Sequence, residues 1–271
     1  MAKFLKQFEI IDIHNHIFPE KIAFKAACSI RDYYKLPMEG DGTSKTLKEQ
    51  GSPLNIKKIV ISSAATKAEN VRSANDFIYK RVQEDPIFVG LGSVHAGYDG
   101  KEEEIERIIS LGLLGLKFHT DFQGFPIDDE RLLGVYRLAE KHKLPILFHV
   151  GDEKSDLSSA RRLRNVMEKF PDLIVIGAHM GGYMRKNEAE ELLVGTHAYF
   201  DSSEWHNIMS KEEMCEMSRK HGIDKIIYGC DYPLNSPYTS AKALFDCPFT
   251  DEEKEKIYSK NIKKVFNFDF K

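Results

Sequence analysis

Apolar residues along this chain fall into short runs separated by amphipathic stretches. Runs rich in Ile, Val and Leu lie near residues 10–16, 57–64, 87–95, 113–119, 145–150, 173–179, 198–203 and 225–231. Each has the length and β-branched content of a buried strand. Helical spacing appears between them. In "AENVRSANDFIYKRVQED", Val71, Ala74, Ile78 and Val82 share one helical face, and "KEEEIERIIS" follows its acids with Ile105, Ile108 and Ile109. "DDERLLGVYRLAEKH" opens with acids and closes with bases, as a helix dipole favours. "SSARRLRNVMEKF", "KNEAEELLV" and "SKEEMCEMSRKHG" follow the same habit. Each strand is followed by a helical or loop segment, which predicts an α/β fold with parallel strands. Eight such units suggest a closed (β/α)8 TIM barrel of about 250 residues. A doubly wound open sheet is the alternative, although no GxGxxG follows the first run.

Two stretches break the rhythm. Residues 17–55 predict a helical and loop insertion after strand 1: one or two helices, then a Gly/Ser-rich loop near 39–53. Beside a barrel mouth such an insertion is a natural lid. Residues 232–249 read as irregular chain after the last strand. With no linker and no repeat beyond the barrel rhythm, a single domain over 1–271 is expected.

Composition narrows the partners. A hydrophobic fraction of 42% in 271 residues supports a large core. The net charge of −3 gives no electrostatic reason to expect nucleic acid or an anionic membrane as partner, so a small-molecule substrate is expected. No apolar run approaches the roughly 18 residues of a membrane span. The N-terminal "MAKFLKQFEI" lacks an apolar signal core. Cys28, Cys215, Cys230 and Cys247 are scattered without a CxxC pair, which suits reduced thiols in a cytoplasmic protein. A homodimer is the generic expectation.

The candidate chemistry sits at the C-terminal ends of the strands, where barrels keep their active sites. In "EIIDIHNHIFP", strict alternation puts Asp12, His14 and His16 on one face and Ile11, Ile13 and Ile17 on the other. Strand three ends in His95, strand four in Lys117 and His119, strand five in His149, strand six in His179 and strand eight in Asp231. Most of the ten histidines stand at these ends. Imidazoles with a carboxylate make a good zinc shell, and His14, His16, His149 and Asp231 would converge on the axis. His179 would stand beside them as a further ligand or a free base. Gly177 and Gly229 precede His179 and Asp231 by two, leaving room for each to turn inward. Asp12 reads as structural support beneath the metal. Trp205 and His206, after strand seven, are candidate pocket walls, as is His95; His142, His197 and His221 read as surface residues.

"DIHNHIFP", "LKFHTDFQGFPIDDERLLGVYRLAEKHKLPILFHVGD", "GAHMGG" and "YGCDYP" resemble the amidohydrolase superfamily, in particular its amidohydrolase-2 group. That group includes aminocarboxymuconate semialdehyde decarboxylase-like enzymes, resorcylate-type decarboxylases and pyrone-dicarboxylate hydrolases. The resemblance covers essentially the whole chain and extends to "IYSKNIKKVFNF", with Asn261 at the usual place of the closing helix. It implies a TIM barrel with one divalent metal at its mouth, Zn2+ first and Mn2+ as the alternative. It implies His14, His16, His149 and Asp231 as metal ligands, and Asp231 and His179 as catalytic residues. Lys117 matches the strand-four lysine that is carboxylated in binuclear relatives. Arg31 lies in the region where the decarboxylases hold a substrate carboxylate. Lys117, His119, His95, Trp205 and Arg31 are therefore the expected substrate-binding set.

The implied function is hydrolysis of a small carboxylated or cyclic metabolite by metal-activated water, with Asp231 taking the proton and His179 stabilising the oxyanion or protonating the leaving group. The alternative is non-oxidative decarboxylation by the same residues. Behind these stand a binuclear phosphoesterase, a DNase-like barrel, which would carry a glutamate where Lys117 stands, and a non-catalytic barrel.

Overall fold

A computed structural model describes residues 6–266. Residues 1–5 of the N-terminal segment and the last two residues of "IYSKNIKKVFNF" lie outside the described residues.

All eight expected strands form and all pair in parallel: β1 (Ile10–His16), β2 (Ile56–Ser62), β3 (Phe88–Gly90), β4 (Leu116–Phe118), β5 (Ile146–Phe148), β6 (Val175–Gly177), β7 (Tyr199–Asp201) and β8 (Ile226–Ile227). The ladders run β1-β2-β3 and β4-β5-β6-β7-β8. Two parallel bridges join them, Gly92 with Leu116 and Asn15 with Tyr232, so the ring closes as a TIM barrel. Most strands are shorter than their apolar runs. Beyond the ladder the chain leaves the sheet, and there stand His119, His149, His179 and Asp231.

The helices expected from amphipathic spacing form at Val71–Glu84, Lys101–Ser110, Leu133–Lys141, Ala160–Lys169, Lys186–Leu192 and Lys211–His221. The insertion after β1 holds α1 (Glu20–Tyr34) and α2 (Ser44–Gly51). The second helix occupies much of the expected Gly/Ser-rich loop. Its start is set by Thr43, whose hydroxyl accepts from the Thr46 amide at 3.2 Å, while Leu47 is buried. Residues 232–249 are likewise less irregular than expected. Ser236 accepts from the Thr239 amide at 3.1 Å and Pro237 fills the first helical position, launching a helix over Pro237–Phe245.

Two apolar layers separate the barrel interior from its jacket. Ile11 and Ile13 pack with Val60, Val89, Leu147, Ile176 and Ile227 inside the ring, closed below by Ile262 and Val265 of the helix Asn261–Phe266. Ile17, Ile59, Phe118, Phe148, Phe200 and Ile226 belong to the larger layer between strands and helices. Strict alternation therefore fails along β1. Its pairing with β2 shifts register between Ile10 and Ile11 and again between Asp12 and Asn15. Such irregularities bend a strand and re-aim its side chains, and here His14 ends above the inner layer while Ile13 stays within it. Asp12 stays below the site as expected: its Oδ1 accepts from the amides of His14 (3.2 Å) and Cys230 (3.1 Å). All four cysteines are free. No helix among the described residues is long and apolar enough to cross a membrane.

Candidate metal centre and cavity

His14, His16 and Asp231 meet at the mouth of the barrel. His14 Nε2 lies 3.1 Å from His16 Nε2, and Asp231 Oδ1 lies 3.3 Å from His14 Nε2 and 3.4 Å from His16 Nε2. All three residues are buried. Four ligands at the usual 2.0–2.1 Å around a tetrahedral zinc stand roughly 3.3 Å apart, so the spacing matches the edges of such a shell. The proton positions fit as well. His14 Nδ1 donates to Asp201 Oδ2 at 2.9 Å, which leaves the lone pair on Nε2 facing the other two groups. Burial, the largest influence on His16, lowers it to about 4, so its ring is neutral near pH 7. Burial opposes ionisation of Asp231, but the His14, His16 and His179 rings outweigh it and hold the carboxyl well below its usual range. Two imidazole nitrogens facing one carboxylate oxygen are donors suited to a divalent cation.

Glycine makes this approach possible. A Cβ on Gly229 would stand 2.9 Å from the Cβ of His14, too close to be tolerated without movement. A Cβ on Gly177 would meet Gly181 Cα at 3.3 Å, so its spacing serves the turn after β6.

A second group adjoins the first. His149 Nδ1 is 3.0 Å from His179 Nε2, and His179 Nδ1 is 2.8 Å from Ser203 Oγ. Ser203 also lies 3.0 Å from His14 Nδ1, tying both groups together. Burial lowers His179 to about 4 and pushes His149 well down. His149 Nε2 faces away from this hydrogen bond: it is 3.3 Å from the Tyr34 hydroxyl and 3.9 Å from Asp121 Oδ2. The trio His14, His16 and Asp231 is thus assembled directly, whereas His149 adjoins it through His179. His179, Met180, Glu204 and Asp231 all have positive φ, between 56° and 64°, at the ends of β6, β7 and β8. Strained backbone of this kind concentrates where function demands a particular side-chain direction.

The other expected residues are distributed unevenly. Lys117 is fully buried with Nζ 3.0 Å from His14 Nε2, and burial lowers it to about 8; it touches the trio rather than the cavity wall. His119 lines the cavity, stacked between Phe122 and His149 with both ring centroids 4.0 Å away. His95 is engaged by backbone on both sides, Nε2 with the Gln123 carbonyl and Nδ1 with the Gly97 amide, each at 3.0 Å, and lies outside the lining. Trp205 is buried behind the wall, and Arg31 is outside the cavity, paired with Asp32 at 2.7 Å. His206 contacts Asn235 at 3.3 Å. His142 and His197 are exposed as expected, but His221 is buried, with Nε2 2.8 Å from the Ala198 carbonyl and its ring 3.9 Å from that of Phe200. Its position at the end of a basic helix suggested the surface, yet the last turn packs against β7.

Sequence reasoning missed Asp201, Ser203, Glu204, Tyr34 and Tyr183. Asp201 ends β7 as Asp231 follows β8, so the strand-end rule was available for it. The rest needed three-dimensional information. Tyr34 comes from α1 and sets its hydroxyl 3.0 Å from His119 Nε2 and 3.3 Å from Asp152 Oδ2. Tyr183 and Glu204 line the same cavity, whose volume is about 720 Å³.

A buried His/Asp cluster at the C-terminal mouth of a (β/α)8 barrel defines a class, the barrels built to hold a divalent cation beside a substrate cavity. The family model described as amidohydrolase matches residues 11–268, and the chain belongs to that enzyme family. Its fold is shared with an uncharacterized TIM-barrel protein from Bordetella bronchiseptica, at 17% identity and TM-score 0.77 over 96% of this chain and 99% of that one. A dihydroxybenzoic acid decarboxylase from Polaromonas sp. JS666, solved with manganese and 2-nitroresorcinol, matches at 16% identity and TM-score 0.72, covering 96% and 97%. The 5-carboxyvanillate decarboxylase from Sphingomonas paucimobilis matches at 16% and 0.72, covering 96% and 99%.

Proposed function

We propose that the protein is a metal-dependent hydrolase that opens an ester, lactone or amide at a single divalent cation held by His14, His16 and Asp231, with His149 as a further ligand. The carrying observation is the trio at 3.1–3.4 Å, opening onto a cavity beside the neutral ring of His179. Zn2+ suits two imidazoles and a carboxylate; Mn2+ is the alternative, as three of the related decarboxylase structures contain it. A bound cation would lower the pKa of a coordinated water towards neutrality and polarise a carbonyl. Asp231, ionised and at the trio, takes the proton from the attacking water. His179 faces the same space between Ser203 and His149; its Nε2–H, turned from His149, would donate to the developing oxyanion, and the proton taken up by Asp231 would pass to the leaving group. Lys117 adds positive charge beneath the trio. Tyr34, Phe122 and Tyr183 wall the cavity and keep bulk water from the reacting carbonyl.

The second reading is non-oxidative decarboxylation. It is favoured by the same aromatic walls, which suit a ring such as those of the dihydroxybenzoate and carboxyvanillate substrates named for the related structures. Among the described residues no lysine or arginine lines the cavity to hold a carboxylate, which is why hydrolysis is preferred. The test is turnover by metal-reconstituted protein on a panel of esters, lactones, amides and hydroxybenzoates. Release of acid from an uncharged substrate, lost in His179→Gln, supports hydrolysis; CO2 release from a hydroxybenzoate with no ester, lactone or amide turnover replaces it with the second reading.

A further inference from the structure

The cavity extends beyond the histidines between two helix faces. From α1 it takes Ile22, Ala26 and Ile30, and from the helix Val71–Glu84 it takes Ser73, Ala74 and Phe77. Ile22, Ala26 and Ile30 are four apart, and Ser73 and Ala74 stand four and three residues before Phe77, so each set is one stripe of its helix. Ile22 is half exposed and marks the outer end. A volume of about 720 Å³ is in the range, roughly 300–1,000 Å³, of pockets that enclose drug-sized ligands. Tyrosines apart, the ionisable lining groups are His16, at the end of β1, and His119, His149, His179, Glu204 and Asp231 in the loops after later strands. The helical stretch offers apolar and hydroxyl groups, with the Asn70 amide at its start and no cation among the described residues, so an anionic substituent there would lose its water with no cation to replace it.

We propose that the substrate is an uncharged carbonyl compound carrying an extended aliphatic substituent, which lies between α1 and the helix Val71–Glu84 while its carbonyl meets the histidines. This rests on the hydrolytic reading for the polar end alone. The length of the substituent, rather than a second charged group, then sets selectivity.

The experiment measures calorimetric binding of non-hydrolysable methyl n-alkyl ketones, from four to twelve carbons, and of their ω-carboxylates to metal-loaded protein. At about 0.8 kcal/mol per buried methylene, Kd should fall about four-fold per added carbon over the first several steps and then level off. Each ω-carboxylate should bind at least ten-fold more weakly than its parent. Ala74→Trp, and independently Ile30→Trp, should remove the gain for long chains and leave the shortest ketone unchanged. A Kd independent of chain length, or carboxylates binding as well as their parents, overturns the proposal. Ester turnover is scored separately: chain-length-dependent binding without any turnover would end the hydrolytic reading and leave the aliphatic channel standing.

Discussion

Replacing Asp201 by asparagine tests how the proposed metal centre is oriented. The Asp201 side chain is fully buried and accepts the Nδ1 proton of His14 at 2.9 Å. Its second oxygen accepts from the amides of His179 (3.2 Å) and Ser203 (2.9 Å). Burial opposes the ionised form, but the adjoining His14 ring and its hydrogen bond overcome it and keep the carboxyl well below the usual range. Asparagine preserves the shape but has a single acceptor oxygen; turned to His14 it keeps the tautomer, while the negative charge and the acceptor for the His179 and Ser203 amides are lost. A hydrogen bond to a charged acceptor contributes about 1 kcal/mol more than a neutral one, and loss of a carboxylate behind a ligating histidine weakens metal binding by about 10–100-fold, or about 1.4–2.7 kcal/mol. Chelator competition on Asp201→Asn should show a loss in that window. Ser203→Ala, which leaves the carboxylate in place, should lose less. An Asp201→Asn protein with native circular dichroism and metal affinity within two-fold of the parent would refute the reasoning.

Tyr34→Phe removes the hydroxyl linking α1 to His119, His149 and Asp152, a net loss of about 0.5–1.5 kcal/mol per bond; hydrogen exchange should quicken across residues 20–34 and change little in the strands. Gly229→Ala brings a methyl to 2.9 Å from His14 Cβ and should cost about 1–3 kcal/mol in denaturant unfolding, with weaker metal binding. Burial lowers His221 to about 4 in the folded chain, so the unfolded chain binds more protons between about 6.5 and 4. Its contribution is full above pH 6.5 and is lost as pH falls towards 4, by about 1–3 kcal/mol; His221→Gln should show a shallower loss of stability between pH 7 and 5 than the parent.

The barrel was legible because period and order are local: eight apolar runs, each followed by a helix or loop, identify parallel strands before any contact is known. The meeting of His14, His16 and Asp231 was legible for a related reason, since polar groups collect at strand ends and these three stand there. The facing of β1 was not legible. Strict alternation assumes an unbroken ladder, and the register shifts around Asp12 depend on β2. The helix Pro237–Phe245 carried its own start signal in Ser236 and Pro237, but its apolar spacing was weak. His221 shows the limit of reading exposure from charge, because a basic helix end can still bury its last turn. Arg31 shows the limit of carrying a role by region: one residue along a helix is about 100° of rotation, enough to put Ile30 in the cavity and Arg31 outside it.

The central claim is that remote residues gather into one cation site. Elemental analysis after dialysis against Zn2+ or Mn2+ tests it most directly, on the parent protein and on folded Asp231→Ala and His14→Ala variants. The account predicts close to one equivalent in the parent and far less than one in either variant. A parent that retains no metal, or variants that retain as much as the parent, would contradict it.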